Sequence, residues 1–261
     1  MRALVTGATS GLGKEIAVQL GQRGWRVALT GRREAKLKEA ADAVKAAGGA
    51  PLALLGSVTD PAVVKDQYRR IREEWGGLDW AILNSGVGET QDAREFTAAN
   101  VVWTFETNVF GVAYWLEAVL PDMIKGGSGT VAAVSSIAGF RGLPKTGAYS
   151  SSKAAVNTLL ESTRVDLRGT GVRVVTVCPG FVKSEMTDRN DPKHMPFRLE
   201  TADGAARIIA GVEAGRRIVH FPWQLSAPVI YGLHNLPGWL YDRLAGLIPR
   251  RKKPYVDESK K

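Results

Sequence analysis

The stretch Ala3-Leu4-Val5-Thr6-Gly7-Ala8-Thr9-Ser10-Gly11-Leu12-Gly13 sets three β-prone apolar residues directly before a turn that holds three glycines. Beyond the turn, Leu12, Ile16 and Leu20 recur at i, i+4 and i+8, the spacing of one helix face. Strand, glycine turn and helix follow one another within the first twenty residues. The turn reads T-G-A-T-S-G-L-G, which lacks the G-x-G-x-x-G spacing, so that fingerprint is not claimed. The physics is shared all the same. Glycines let backbone approach a pyrophosphate at a helix N-terminus, where free N–H groups and the macrodipole favour an anion.

Working outward, short β-rich runs alternate with helical patterns. Arg26–Thr30, Pro51–Leu55, Leu78–Leu83, Gly129–Ser136, Val172–Val177 and Arg217–Phe221 read as strands after the first. Leu37, Ala40, Ala41 and Val44 mark a helix face ending at Gly48-Gly49, and Asp60-Pro61 reads as an N-cap with proline in the first helical turn. Helices are expected over Val101–Leu120, Tyr149–Leu167 and Ala202–Ala214. The pattern predicts an α/β fold, a doubly wound parallel seven-stranded Rossmann-type sheet with helices on both faces. Residues 1–222 read as a single catalytic domain, and 223–261 as an apolar helical extension with a basic tail, packed on or near that domain.

Composition narrows the function classes. The formal net charge is +9, yet Arg250, Arg251, Lys252, Lys253, Lys260 and Lys261 against Asp257 and Glu258 place much of the excess in the tail. No basic, aromatic-interleaved stripe runs through the rest, which argues against nucleic acid as partner. The lone Cys178, inside the apolar run VRVVTVC, excludes an intramolecular disulfide and reads as a small buried hydrophobe. His194, His220 and His234 have no metal-ligand spacing, so no metal is expected. The first strand begins at once, leaving no room for a signal peptide, and cytoplasmic residence is expected.

Two local patterns carry chemistry. At the end of the second strand, where an acid would bind the ribose hydroxyl of NAD, the chain reads Thr30-Gly31-Arg32-Arg33. An arginine fork can clasp a 2′-phosphate, and cations are otherwise unfavourable at a helix start, so NADP(H) is expected as the preferred cofactor, with NAD(H) second. In G-A-Y-S-S-S-K, Tyr149 and Lys153 stand four residues apart and leave one face of a helix. A nearby ammonium favours the phenolate and lowers the tyrosine pKa. On isolated sequence such a pair is usually incidental.

Taken with the T-G-x-x-x-G-x-G turn, the Y-x-x-x-K helix resembles the short-chain dehydrogenase/reductase family in its single-domain form. The segments NSG from Asn84, TNVFG around Asn108, VSSIAG with Ser136 and PGFVKSEM from Pro179 agree in order and spacing. The resemblance implies a catalytic set of Asn108, Ser136, Tyr149 and Lys153, with Ser135 as the alternative serine. It implies cofactor contacts from Thr6, Gly7, Thr9, Ser10, Gly11, Leu12, Gly13, Arg32, Arg33, Ser57, Val58, Asn84, Ser85, Gly86, Tyr149, Lys153, Pro179, Gly180, Val182 and Ser184. A lid over about 181–200, with Phe181 and Met186 joining Ser136 at the substrate, is implied in the same way. Relatives assemble as homodimers or homotetramers, and the same is expected here.

Three departures stand out. Ser57 replaces a usual aspartate, Leu83 and Ser85 turn N-N-A-G into LNSG, and Ser184 replaces a frequent threonine. The reading is an NADP-preferring oxidoreductase that moves hydride between NADPH and a ketone, aldehyde or secondary alcohol of hydrophobic character. A cofactor-binding regulator without turnover, and a peripheral membrane protein using the fold as a scaffold, are the rival readings. The run from Trp223 to Pro249 is apolar but interrupted by Pro228, His234, Pro237, Asp242 and Arg243. It can close the pocket, form a subunit contact or lie on anionic lipid, and is too interrupted to cross a membrane.

Overall fold

Seven parallel strands form one sheet in the computed structural model, which describes residues 1–188, 193 and 195–247. In chain order they are β1 (Arg2–Val5), β2 (Arg26–Gly31), β3 (Ala50–Leu55), β4 (Trp80–Leu83), β5 (Gly129–Val134), β6 (Val172–Pro179) and β7 (Ile218–Phe221). Their order across the sheet is β3-β2-β1-β4-β5-β6-β7, so the winding reverses between β1 and β4. Leu4 of β1 lies opposite Ala28 on one side and Ala81 on the other. Buried on both faces, the central strands are apolar runs rather than alternating ones, as a helix-covered parallel sheet requires.

One face is covered by α1 (Gly11–Gln22), α2 (Glu34–Ala46) and α7 (Thr201–Glu213), which bury Ile16, Leu20, Leu37, Val44, Ile208 and Ile209. The other is covered by α3 (Pro61–Trp75), α5 (Gly111–Lys125) and α6 (Gly147–Asp166), through Val64, Ile71, Trp115, Val119, Val156 and Leu160. Burying each such side chain contributes about 1.5–3 kcal/mol, so the three- and four-residue spacing of these residues fixes which side of each helix faces the sheet. The sheet with helices on both faces thus bears out the expected α/β architecture.

Caps follow the sequence at α3. Pro61 opens the helix, the Asp60 carboxylate accepts from Ala62 N–H at 2.9 Å and Val63 N–H at 3.3 Å, and Gly76 ends it at φ 77°. Boundaries elsewhere shift by a few residues. Strand β5 stops at Val134 rather than Ser136, and β4 starts at Trp80 rather than Leu78.

The larger difference is the helix expected over Val101–Leu120. It is three pieces: α4 (Ala98–Phe105), a π turn over Glu106–Phe110, and α5. Hydrophobic periodicity does not register the extra residue per turn of a π segment, which recurs at functional sites. Gly111 follows, and any side chain there would stand 2.8 Å from Val58 Cγ2, so α5 seats directly on the β3–α3 loop.

After β7 the chain continues through α8 (Trp223–Ala227), a π turn over Pro228–Gly232, and α9 (Gly238–Gly246). The helical character expected of this segment is observed up to Leu247, and its basic residues from Arg250 onward lie outside the described residues. Replacing Asp60 by alanine should cost about 1 kcal/mol through loss of the α3 cap, read as a lower urea midpoint with unchanged m-value, while Asp60→Asn should recover most of it.

Candidate active site

A cleft of about 460 Å³ opens at the C-terminal ends of the strands, on the reversal between β1 and β4. That is where doubly wound sheets take ligands, and the volume suits one. Gly7, Thr9, Ser10, Gly11 and Leu12 form one wall; Thr30 to Arg33 and Gly56 to Val58 form a second. Asn84 to Glu89, Val134, Ser135, Tyr149, Lys153, Pro179, Gly180, Val182, Ser184 and Met186 complete it.

The first turn is built for close backbone approach. Gly7 and Gly11 have φ of 64° and 52°. At Gly13 a β-carbon would stand 2.3 Å from the Gly7 carbonyl oxygen and 2.5 Å from Asn84 Nδ2, which no side chain tolerates. Thr6 lies beneath the turn: its hydroxyl accepts from the Asn84 and Ser85 backbone N–H groups at 2.9 and 3.1 Å. Asn84 Nδ2 in turn donates to the Thr6 and Gly7 carbonyls at 3.1 and 3.3 Å. At the start of α1, Ser10 makes no side-chain cap bond and no acid stands in the first turn. The α1 N–H groups face the cleft with no acid in their own turn, which fits a pyrophosphate, and the nearby Glu185 carboxylate bonds Ser10 Oγ at 3.1 Å and is paired with Arg33.

The second wall carries the two arginines. Arg32 is exposed on the cleft wall. Arg33 bonds Thr9 Oγ1 and Ser10 Oγ, each at 2.9 Å, and pairs with Glu185 at 2.9 Å. Thr30 Oγ1 is buried on this wall and has no hydrogen-bond partner among the described residues. Ser57, in the place of the usual aspartate, bonds Thr59 Oγ1 at 2.8 Å. These donors, the open α1 end and the orphaned Thr30 hydroxyl fit an adenine dinucleotide with its ribose toward β2.

Of the expected catalytic residues, Tyr149 and Lys153 line the opposite end. Tyr149 and Lys153 leave one face of α6, with the Lys153 ammonium 5.6 Å from the Tyr149 ring centroid. Lys153 is buried and donates to the Val134 carbonyl at 2.8 Å. Burial lowers its pKa to about 8. Burial also raises the Tyr149 phenol, with a Ser136 hydrogen bond pulling the other way. The spacing predicts an ammonium that lowers the phenol; instead burial raises it, and the Lys153 ammonium donates to the Val134 carbonyl rather than to the phenol oxygen.

The two serines are held differently. Ser135 lines the cleft and donates to the Lys153 carbonyl at 3.0 Å. Ser136 accepts from Ala138 N–H at 3.1 Å, donates to the Pro179 carbonyl at 3.5 Å and stands beside the phenol. Asn108, in the π turn, accepts from Val87 N–H at 2.8 Å and donates to Val87 O and Ser152 Oγ, each at 2.9 Å. Its side chain is fully engaged behind the cleft wall. Phe181 is not on that wall; its carbonyl accepts from Leu199 N–H at 3.0 Å, while Met186 does line the cleft. Within the lid, residues 189–192 and 194 lie outside the described residues.

Sequence reasoning passed over Val87, Gly88, Trp103 and Thr107, which also line the cleft. Gly88 is the instructive one, because a β-carbon there would stand 2.6 Å from Tyr149 Cδ2. The glycine alternation in Gly86-Val87-Gly88 was the available signal. Cys178 is fully buried with its thiol pushed up to about 12, which leaves it inert, and no metal-holding group of side chains exists among the described residues.

Residues 1–194 match the family model for short chain dehydrogenases. An uncharacterized oxidoreductase of Myxococcus xanthus (strain DK1622) is 45% identical over 243 residues, 93% of this chain and 95% of its own. A match of that length cannot end before Trp223, so this relative shares part of the segment after β7. A 3-oxoacyl-(acyl-carrier-protein) reductase of Staphylococcus aureus (strain Mu50 / ATCC 700699) is 34% identical over 190 residues, 71% of this chain and 76% of its own. Among solved structures, levodione reductase superposes with a TM-score of 0.81 at 26% identity, covering 87% of this chain and 97% of that one. The chain belongs to the short-chain dehydrogenase/reductase family and is an oxidoreductase of that class.

Gly88→Ala should push the Tyr149 ring out of place. A displacement of that kind is expected to lower turnover about 10²-fold while leaving cofactor affinity unchanged, as steady-state rates and calorimetry would show.

Proposed function

We propose that this protein is an NADP(H)-preferring carbonyl reductase or alcohol dehydrogenase acting on a hydrophobic ketone, aldehyde or secondary alcohol. The observation that carries this reading is that Tyr149 and the buried Lys153 line one end of a cleft whose other end presents Arg32 and Arg33, with Ser136 hydrogen-bonded to the Tyr149 phenol. The dinucleotide would be held by Gly7, Gly11 and the α1 N-terminus at its pyrophosphate, by Arg32 and Arg33 at the 2′-phosphate, and by Lys153 at the nicotinamide ribose. When bound it supplies the hydride that adds to the carbonyl carbon.

The chain supplies the proton and the polarisation. Tyr149 donates its phenolic proton to the carbonyl oxygen as charge develops there, giving the alcohol. Ser136 hydrogen-bonds the same oxygen and stabilises its charge. Lys153, buried with its pKa lowered to about 8, keeps a cation near the Tyr149 ring at neutral pH. Asn108 holds the Val87 backbone and thereby the loop that faces Tyr149. In the oxidative direction the phenolate acts as base, and each transfer runs backwards.

Support for an apolar substrate comes from Met186 and Phe197, exposed at 40% and 55% on the lid segment. The 3-oxoacyl and levodione reductases among the relatives reduce ketones by name, which agrees. We take residues 1–222 as the catalytic unit, with homodimeric or homotetrameric assembly and cytoplasmic residence.

Four measurements check the reading. Tyr149→Phe should cost 10²–10⁴-fold or more in kcat with NADPH affinity retained; undiminished turnover would remove the mechanism. Ser136→Ala should lower kcat about 10²-fold, whereas Ser135→Ala should act mainly on stability. For cofactor choice, Arg33→Ala should weaken NADPH but not NADH in calorimetric titrations, and equal wild-type affinity for the two would overturn the NADP assignment. With the phenol raised by burial, reduction should hold level through neutral pH and fall as the phenol ionises, while oxidation should climb over the same alkaline range.

A further inference from the structure

Helix α9 wears its amphipathicity inside out. At 3.6 residues per turn, Trp239, Leu240, Arg243, Leu244 and Leu247 fall within one arc of about 140°, and Tyr241 and Ala245 lie opposite. The apolar arc is the outward one: Trp239, Leu244 and Leu247 are exposed at 68%, 43% and 79%, while Tyr241 is buried at 9%. What holds the helix to the body is polar. Tyr241 Oη donates to the Gly142 carbonyl at 2.7 Å, beneath the Arg141 guanidinium at 4.4 Å. Arg141 itself donates to the Leu233 and Leu236 carbonyls, and His234 Nδ1 bonds the Phe140 carbonyl at 2.8 Å. A surface helix normally turns its apolar stripe to the core. This one is pinned with the stripe facing away.

We propose that α9 docks the protein on an anionic lipid surface. Trp239 offers the amphipathic ring suited to the headgroup level, and Arg243 sits within the apolar arc, where its long stem can lie along lipid with the guanidinium among phosphates. The chain then runs into Arg250-Arg251-Lys252-Lys253, three residues beyond Leu247. Apolar arc followed by a basic run is the chemistry of an interfacial helix on negatively charged lipid. Among the described residues no helix is long and apolar enough to cross a membrane, so the helix lies on the surface. A second copy is the less suitable occupant. A two-fold interface buries two copies of the same patch, which would bring the Arg243 guanidinium groups of both chains into one apolar contact.

The test is co-sedimentation of the full chain with phosphatidylcholine vesicles, with and without phosphatidylglycerol. Two variants accompany it: Trp239→Ser/Leu244→Ser/Leu247→Ser, and Arg250, Arg251, Lys252 and Lys253 all changed to glutamine. All seven positions lie on the surface or in the tail, and circular dichroism and thermal midpoint would show each variant folded. The wild type should pellet with the anionic vesicles alone and both variants should stay in solution, each neutralised cation weakening partition about fivefold. Wild type that ignores anionic vesicles, or vesicle binding unchanged in the variants, overturns the proposal. So does a triple serine variant that loses a subunit by light scattering when the wild type binds no vesicle, since the face then belongs to a second copy.

Discussion

No side chain can exist at position 13. A β-carbon there would fall inside the Gly7 carbonyl and against the Asn84 amide, so α1 leaves the sheet closer to the β1 turn than any other residue would allow. That proximity aims the α1 N–H groups into the cleft and lets Thr6 and Asn84 tie the ends of β1 and β4 together. The reversal point of the sheet is thereby locked at the level of the binding site. Leu83 and Ser85, which depart from the family pattern, do not disturb this tie, because it uses the Asn84 side chain and the Ser85 backbone N–H.

The other half of the site is a buried polar chain. Asn108 grips both backbone groups of Val87 and also bonds Ser152, whose hydroxyl donates to the Tyr149 carbonyl at 2.7 Å. Ser135 holds the Lys153 carbonyl, and Lys153 reaches the end of β5. Each polar group is paired, which is the condition for carrying so many in the interior. The π turn at Glu106–Phe110 is what brings Asn108 to this depth. The proposed catalytic residues therefore sit on a scaffold of hydrogen bonds made by their neighbours, and only a few side-chain atoms remain directed at the cleft.

Charge divides along the cleft in a manner relevant to cofactor entry. Arg33 meets the Glu185 carboxylate across the cleft mouth, so the lid segment bears on the same guanidinium that would meet a 2′-phosphate. The pair is about half exposed, and such pairs contribute at most about 1 kcal/mol. A doubly charged phosphate can outcompete it. Arg32 stands on the same wall, so the cationic end of the cleft does not rest on one residue.

Much was legible before folding. The strand-glycine-helix opening, the alternation that follows it and the Asp60 cap are local, set by side-chain period and backbone freedom, and they specified the parallel sheet and its order of elements. Tyr149 and Lys153 share a face because helical geometry alone puts them there. Tertiary structure decided what depends on distant segments meeting: the π turn hidden inside an apparently continuous helix, the contact that requires Gly88 to lack a side chain against Tyr149, and the different partners of Ser135 and Ser136. It also set the direction of the Tyr149 shift, since desolvation is summed over everything packed around the ring and no spacing in the chain records it. The outward stripe of α9 belongs to the same class. Composition and spacing show the segment to be apolar and helical, but only the grip of Arg141 and Gly142 on its polar side decided which face was left to solvent.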